Sequence, residues 1–325
     1  MHIPDGLMDP WVIVIGWVEF MIAIALAVRY TARDVNDRNL PRIAVLSAGI
    51  FVAQMLNFPI GGGTTGHLVG GALFSILAGP AIAIVGMTVI LIIQGLLFGD
   101  GGLTALGLNA LNMAVIAPLT GWGIYTLLMR RPGKEFGRAG ETAVVALASW
   151  ASVFLAAAAC AAELLVSYAI SGGAYGIAGS VAVPAMLGYH ALIGIGEAAI
   201  TVGVVAYVRT VSPEMFSVGK PVAGGQKAAI GGVLASKTVM GALAIIVVFA
   251  AMIPFYIIYS SEGEDGLERT MSESGVAEGE PLLSSPFSYG ETYFQILLAG
   301  ILGFAAVLVF VAAVLGLARS RSSDA

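Results

Sequence analysis

Residues 68–98 have the sequence LVGGALFSILAGPAIAIVGMTVILIIQGLLF, and the way this stretch folds sets the topology of the whole chain. As one helix it would be about 47 Å long, at about 1.5 Å per residue, which exceeds the roughly 30 Å of hydrocarbon in a bilayer. Gly79-Pro80 lies inside it, and proline disfavours a continuing helix. We therefore predict two helices, separated at Gly79-Pro80.

The composition places the chain in a membrane. Its 325 residues are 58% hydrophobic and 11% charged, whereas a soluble domain carries about 25% charged residues. Further apolar segments that could span the bilayer are 11–29, 43–58, 103–129, 143–170, 185–208, 238–259 and 293–317. With the two halves of 68–98, they predict an all-α polytopic membrane protein with nine spans.

The basic residues favour nine spans with the N-terminus outside. In that topology 14 of the 15 Lys and Arg residues fall on the cytoplasmic side, and Arg269 is the exception. A single helix over 68–98 would invert everything after it and break the positive-inside rule for ten of them. The outer face then collects the N-terminus and the segments 59–67, 99–102, 171–184 and 260–292.

Composition also divides the chain. Residues 210–236 are rich in Gly, Ser and Pro, and we predict a cytoplasmic linker there. It would join a seven-helix core, residues 1–209, to a two-helix part, residues 237–325. The outer loop 260–292 carries eight acidic residues and one basic residue, so we expect it to be flexible or weakly ordered.

The N-terminal sequence MHIPDG offers metal ligands. It lacks the features of a signal peptide, so we expect the mature chain to start at Met1. The Met1 amine, the His2 amide nitrogen and the His2 ring can chelate one metal in five- and six-membered rings. A nitrogen from His67 would complete a square-planar set, which points to Ni²⁺ or Cu²⁺ and leaves Co²⁺ open. The alternative is an exposed terminus without a metal.

His67 ends the glycine-rich stretch 57–67, NFPIGGGTTGH. Irregular backbone at membrane depth is tolerated where it is buried in protein or lines a cavity, so this histidine is a candidate ligand. The alternative is a hydrogen-bonded residue at a helix start. The stretch is not a phosphate loop, because His67-Leu68 stands where Lys-Ser/Thr is required. Any energy from ATP must therefore come from a partner.

Ionisable residues inside predicted spans leave a second function open. They are Glu19, Glu163, His190 and Glu197, and such residues are costly in a bilayer. One interpretation is interhelical hydrogen bonding that stabilises packing. The other is a proton path in a proton-coupled secondary transporter of divalent metal, although no convincing inverted repeat supports it. A membrane metalloprotease would need a His-Glu-x-x-His pair, which the chain lacks.

Several long motifs resemble one family. MHIPDG, NFPIGGGTTGHLVGG, QGLLFGDGGLTALGLNALNM and GYHALIGIGEAAIT are similar to the substrate-binding component of cobalt/nickel energy-coupling-factor transporters, the CbiM/NikM type. The resemblance covers roughly residues 1–210. Residues 263–269, GEDGLER, resemble the small CbiN/NikN subunit, here fused to the core, with Glu264 where proline is usual.

The resemblance implies a non-catalytic, substrate-capture subunit of an ATP-driven importer of Co²⁺ or Ni²⁺ in the inner membrane. Its metal ligands would be Met1, His2 and His67. Candidate supporting residues in the matching motifs are Asp5, Asn57, Thr65 and His190. The implied partners are a membrane coupling protein and a cytoplasmic ATPase pair, with no organic cofactor and no nucleic acid.

Overall fold

The computed structural model describes residues 1–36, 39–61, 63–129, 137–211, 237–260 and 263–323. Within these ranges seven helices are long and apolar enough to cross a membrane, which confirms the all-α polytopic class. The count of nine spans and the outward N-terminus stay predictions. Nearly all of the predicted linker, residues 212–236, lies outside the described ranges.

The first helices are α1 (Pro10–Asp34), α2 (Leu40–Gln54), α3 (Gly71–Ala78) and α4 (Pro80–Ile93). Helix α1 begins where the Asp9 side chain accepts the Trp11 N–H at 2.8 Å, with proline at the first helical position. Helices α3 and α4 are separate, so the break predicted at Gly79-Pro80 is confirmed. The eight residues of α3 are about 12 Å long, too short to cross hydrocarbon alone.

The later helices are α5 (Leu106–Asn109), α6 (Ala117–Met129), α7 (Arg138–Ile170), α8 (Gly179–Val211), α9 (Lys237–Tyr259), α10 (Gly266–Glu273) and α11 (Tyr293–Ser323). Two stretches are π-helical: Gln94–Phe98 extends α4, and Ala110–Ile116 joins α5 to α6. Helix α4 is central, because 78% of an 18-residue apolar segment within Pro80–Phe98 is buried. For the corresponding segment of α1 the buried share is only 22%. The exposed apolar side of α1 therefore suits contact with lipid.

A small β-hairpin interrupts the helices. Strands β1 (Phe58–Gly61) and β2 (Thr64–Gly66) pair antiparallel, with Phe58 opposite Gly66. Thr64 also forms a parallel bridge with Glu264, from the far end of the chain. The sequence predicted irregular backbone here, but it did not predict that the two segments pair as strands. The pairing satisfies backbone groups that have no helix to join.

Part of the acidic segment 260–292 is more ordered than predicted. Its residues 266–273 form α10, which begins at a capping box. The Asp265 side chain accepts the N–H groups of Leu267 and Glu268 at 2.7 and 2.9 Å, and Glu268 accepts the Asp265 N–H at 2.7 Å. The expectation of weak order was wrong for this part, because capping and burial of Leu267 and Met271 outweigh the polar composition.

Candidate metal centre

The N-terminal segment is inserted into the helix bundle rather than exposed. Met1 and Ile3 are fully buried. Ile3 exchanges two hydrogen bonds with the Asn109 side chain, at 2.8 and 3.1 Å, and its carbonyl accepts the Gly102 N–H at 2.8 Å. Only glycine fits at position 102, since a Cβ there would collide with the Asp5 backbone. These contacts fix where the chain terminus lies.

Asp5 fastens this segment from its other side. Its Oδ1 accepts the N–H and the hydroxyl of Thr104 at 2.8 and 2.6 Å, and its Oδ2 accepts the Leu282 N–H at 2.9 Å. Burial acts to raise the pKa of Asp5, but these hydrogen bonds outweigh it and lower the pKa. The structure thus gives this predicted supporting residue a positioning contact and no direct contact with a candidate ligand.

The Met1 amine meets His67 and an unpredicted carboxylate. Its nitrogen lies 3.3 Å from Nε2 of His67 and 3.0 Å from Oδ2 of Asp265. Burial alone would lower the pKa of the amine, but the Asp265 carboxylate outweighs burial and raises it. The amine therefore carries a proton near neutral pH, and that proton must leave before the nitrogen binds a metal.

His67 directs its Nε2 atom at the Met1 amine. Its Nδ1 donates to the Leu68 carbonyl at 3.0 Å, which assigns the lone pair to Nε2. Burial, followed by the nearby ammonium, lowers the pKa of His67 to about 4. The ring is therefore neutral at physiological pH and already in the form that binds metal.

Glu197 holds the backbone that follows His67. This carboxylate on α8 is fully buried and accepts the N–H groups of Val69 and Gly70 at 2.7 and 2.8 Å. An acceptor placed there also meets the N-terminal end of α3, where unpaired N–H groups and the helix dipole favour negative charge. Of the two interpretations left open for this residue, the structure shows the packing contact.

His2 lies against His67 but is held by other groups. The two rings are stacked, with centroids 5.1 Å apart. Nδ1 of His2 lies 3.1 Å from Oδ1 of Asp100, and its Nε2 lies 3.3 Å from Oε1 of Gln94. Burial lowers the pKa of His2, so the ring is neutral and has one N–H to share between these acceptors. Chelation through Nδ1 requires that nitrogen to leave Asp100.

The other predicted supporting residues lie around this centre. Asn57 donates to the Thr65 hydroxyl at 3.3 Å, and the Thr65 N–H donates to the Glu264 carbonyl at 2.8 Å. His190 donates from Nδ1 to the Met186 carbonyl at 2.8 Å. A cavity of about 10 Å³ is lined by Met1, His67, Val69, His190, Ile193 and Asp265. His190 therefore borders the centre, whereas Asn57 and Thr65 brace the hairpin that carries His67.

Sequence reasoning missed four residues whose polar side chains contact Met1, His2 or Ile3: Gln94, Asp100, Asn109 and Asp265. Asp100 was in a turn assigned to the same face as the N-terminus, so its acidic character was an available signal. Gln94 and Asn109 are polar residues within apolar helices, a pattern that predicts a buried partner. Asp265 was identified as one charge of an acidic loop and as part of the GEDGLER motif, and neither observation indicated a contact with Met1.

Fold and site together define a multi-pass helical membrane protein that gathers nitrogen donors around a buried α-amino group. Residues 2–215 match the family model CbiM, the cobalt uptake substrate-specific transmembrane region. The chain belongs to this family. The resemblance noted in its motifs is therefore confirmed, as is a metal-transport class for the protein.

Three similar proteins show how far the likeness extends. A protein of Haloquadratum walsbyi named for metal transport is 41% identical over 66% of this chain and 93% of its own length. One of Archaeoglobus fulgidus, named for a fused nickel transport protein NikMN, is 35% identical over 99% of this chain and 98% of its own. The crystal structure of a truncated transition metal transporter aligns with a TM-score of 0.58 at 35% identity, covering 65% of this chain and 99% of that one.

Metal affinity is expected to depend steeply on pH. Both imidazoles are neutral through the neutral range, whereas the amine, with its raised pKa, and the His2 amide must each release a proton. Displacing two protons lowers the affinity about 100-fold for each unit of falling pH. Calorimetric titration with Ni²⁺ at several values between pH 8 and pH 6 measures this slope. An affinity that stays flat over the range would rule out this ligand set.

Proposed function

We propose that the chain is the substrate-capture subunit of an ATP-driven importer of Ni²⁺ or Co²⁺. The observation that carries the proposal is the buried Met1 amine, 3.3 Å from Nε2 of His67, with the His2 ring stacked on His67. Two chain segments thus bring the predicted ligands together, although 66 positions separate Met1 from His67. A buried amine and two neutral imidazoles are nitrogen donors suited to late first-row metals.

The ligand set would be the Met1 amine, the amide and Nδ1 of His2, and Nε2 of His67. With the metal on Nδ1, the His2 proton sits on Nε2 and donates to Gln94, which fixes the tautomer. Within the described residues, no group of three or more His, Cys, Asp and Glu side chains is arranged to hold a metal. The proposed centre therefore depends on main-chain nitrogens.

The metal preference follows from the ligands and the relatives. Four nitrogens in a plane favour Ni²⁺ over octahedral, oxygen-preferring ions such as Mg²⁺. Relatives carry names for nickel transport and for cobalt transport. We assign both metals as candidate substrates, with nickel favoured by the planar geometry.

Release of the metal needs an energy source outside this chain. A membrane potential, negative inside, favours entry of two charges by about 4.6 kcal/mol per 100 mV, but it does not by itself detach a metal held by four nitrogens. The sequence contains no Walker motif. We therefore propose a membrane coupling protein and a cytoplasmic ATPase pair as partners, which would turn an outward-facing site toward the cytoplasm.

The metal site is tested by adding one glycine before Met1. The extension converts the free amine into a peptide nitrogen and pushes it from its buried position, so Ni²⁺ binding measured by calorimetry is expected to be lost. The matched control carries one glycine after Ala325, which leaves the amine unchanged. Equal binding by both forms would show that Met1 is not a ligand.

The energy source is tested by uptake of radioactive nickel into cells that also express the partner proteins. Inactivating the ATPase is expected to abolish uptake while the metal affinity of the purified chain stays the same. A proton-coupled transporter instead predicts uptake into proteoliposomes driven by a pH gradient without ATP. Observing that uptake would contradict the ATP-driven proposal and favour the alternative.

A further inference from the structure

The carboxylate closest to the N-terminal amine comes from the C-terminal part of the chain. Oδ2 of Asp265 lies 3.0 Å from the Met1 nitrogen and 3.9 Å from Nε2 of His67. The residue is buried, with 9% exposure, and lines the same cavity as Met1 and His67. The resemblance of the GEDGLER motif to the CbiN/NikN subunit assigns Asp265 no role. It brings a negative charge into contact with two proposed nitrogen ligands.

Both oxygens of the Asp265 carboxylate accept hydrogen bonds, and these fix its position. Oδ1 accepts the first N–H groups of α10, from Leu267 and Glu268, which leaves Oδ2 directed at the amine. The preceding residue is fastened to the hairpin, since the Thr65 N–H donates to the Glu264 carbonyl. Gly266 allows the close approach, because a Cβ there would lie 2.7 Å from Cε1 of His190.

With a metal bound, the Asp265 carboxylate could accept a hydrogen bond from the amine and balance a buried positive charge. An amine that donates its lone pair to a metal keeps N–H groups, and one of these can donate to Oδ2 of Asp265. A dication bound to a deprotonated amide and three neutral nitrogens leaves one net positive charge in a buried place. An uncompensated buried charge is costly, and a paired one much less so.

We propose that Asp265 is the anionic partner of the metal-bound Met1 amine, so that the C-terminal part supplies a positioning residue to the metal centre. This inference rests on the proposed function, and it adds a residue outside the four nitrogen ligands. Carboxylates that hold metal ligands by hydrogen bonds typically contribute 10- to 100-fold to metal affinity. The core of residues 1–209 alone would lack this contribution.

The test compares Asp265→Asn with Glu268→Gln in the full-length chain. Asparagine caps a helix as well as aspartate does, so α10 is preserved while the charge facing the amine is lost. Glu268→Gln replaces the side chain that accepts the Asp265 N–H by an amide whose oxygen can still accept it, and keeps the Asp265 carboxylate. We expect Asp265→Asn to weaken Ni²⁺ binding about 10- to 100-fold and Glu268→Gln to bind as the unaltered chain does.

The visible absorption of bound nickel separates positioning from ligation. At saturating Ni²⁺ the bands of Asp265→Asn should match those of the unaltered chain, because the four nitrogens are unchanged. A shifted spectrum would make Asp265 a ligand and overturn the assignment. Unchanged affinity in Asp265→Asn, or equal losses in both variants, would also overturn it. If the unaltered chain binds no nickel, the proposed function fails and this inference fails with it.

Discussion

Burial of the terminal α-amino group is the constraint on which the rest of the site depends. Removing an ammonium from water costs several kcal/mol unless it is paired and hydrogen-bonded. The chain meets this cost with Asp265 and His67, which come from opposite ends of the sequence. The N–H and carbonyl of Ile3 need partners too, and Asn109 and Gly102 supply them. The position of the Met1 nitrogen thus depends on contacts from the helices, from the residue that follows the hairpin and from the C-terminal part of the chain.

The β-hairpin and the two π-helical stretches lie close to the N-terminal segment. The hairpin carries Thr65 and leads into His67, and the π-helical stretch at Gln94–Phe98 brings Gln94 to His2. A second π-helical stretch follows Asn109, which holds Ile3. Departures from regular helix need other backbone partners in a membrane, so they persist where protein surrounds them and are frequent at functional sites.

Much of this arrangement follows from the sequence, for identifiable reasons. The composition predicts a membrane protein, and the proline after Gly79 predicts that the helix breaks there. Both predictions succeed because they depend on local sequence. Met1, His2 and His67 stood out because nitrogen donors are scarce in a chain with three histidines. In the predicted topology they also lie on one face of the membrane.

The remainder depends on long-range packing. Asp265 lies 264 positions from Met1, and its place in the GEDGLER motif does not reveal that its carboxylate is buried against the amine. Glu197 was recognised as costly, but its partners are backbone N–H groups, which every residue type except proline offers. The engagement of His2 with Asp100 likewise follows from a turn geometry that the glycines of 99–102 permit without specifying.

The most direct measurement is the X-ray absorption spectrum of the nickel-loaded, full-length protein. We predict four nitrogen ligands in a plane, two of them imidazoles, because the amine, the amide and the rings of His2 and His67 fill the coordination sphere. A six-coordinate, oxygen-rich nickel would contradict it. That result would move the metal away from the Met1 amine and onto carboxylates or water.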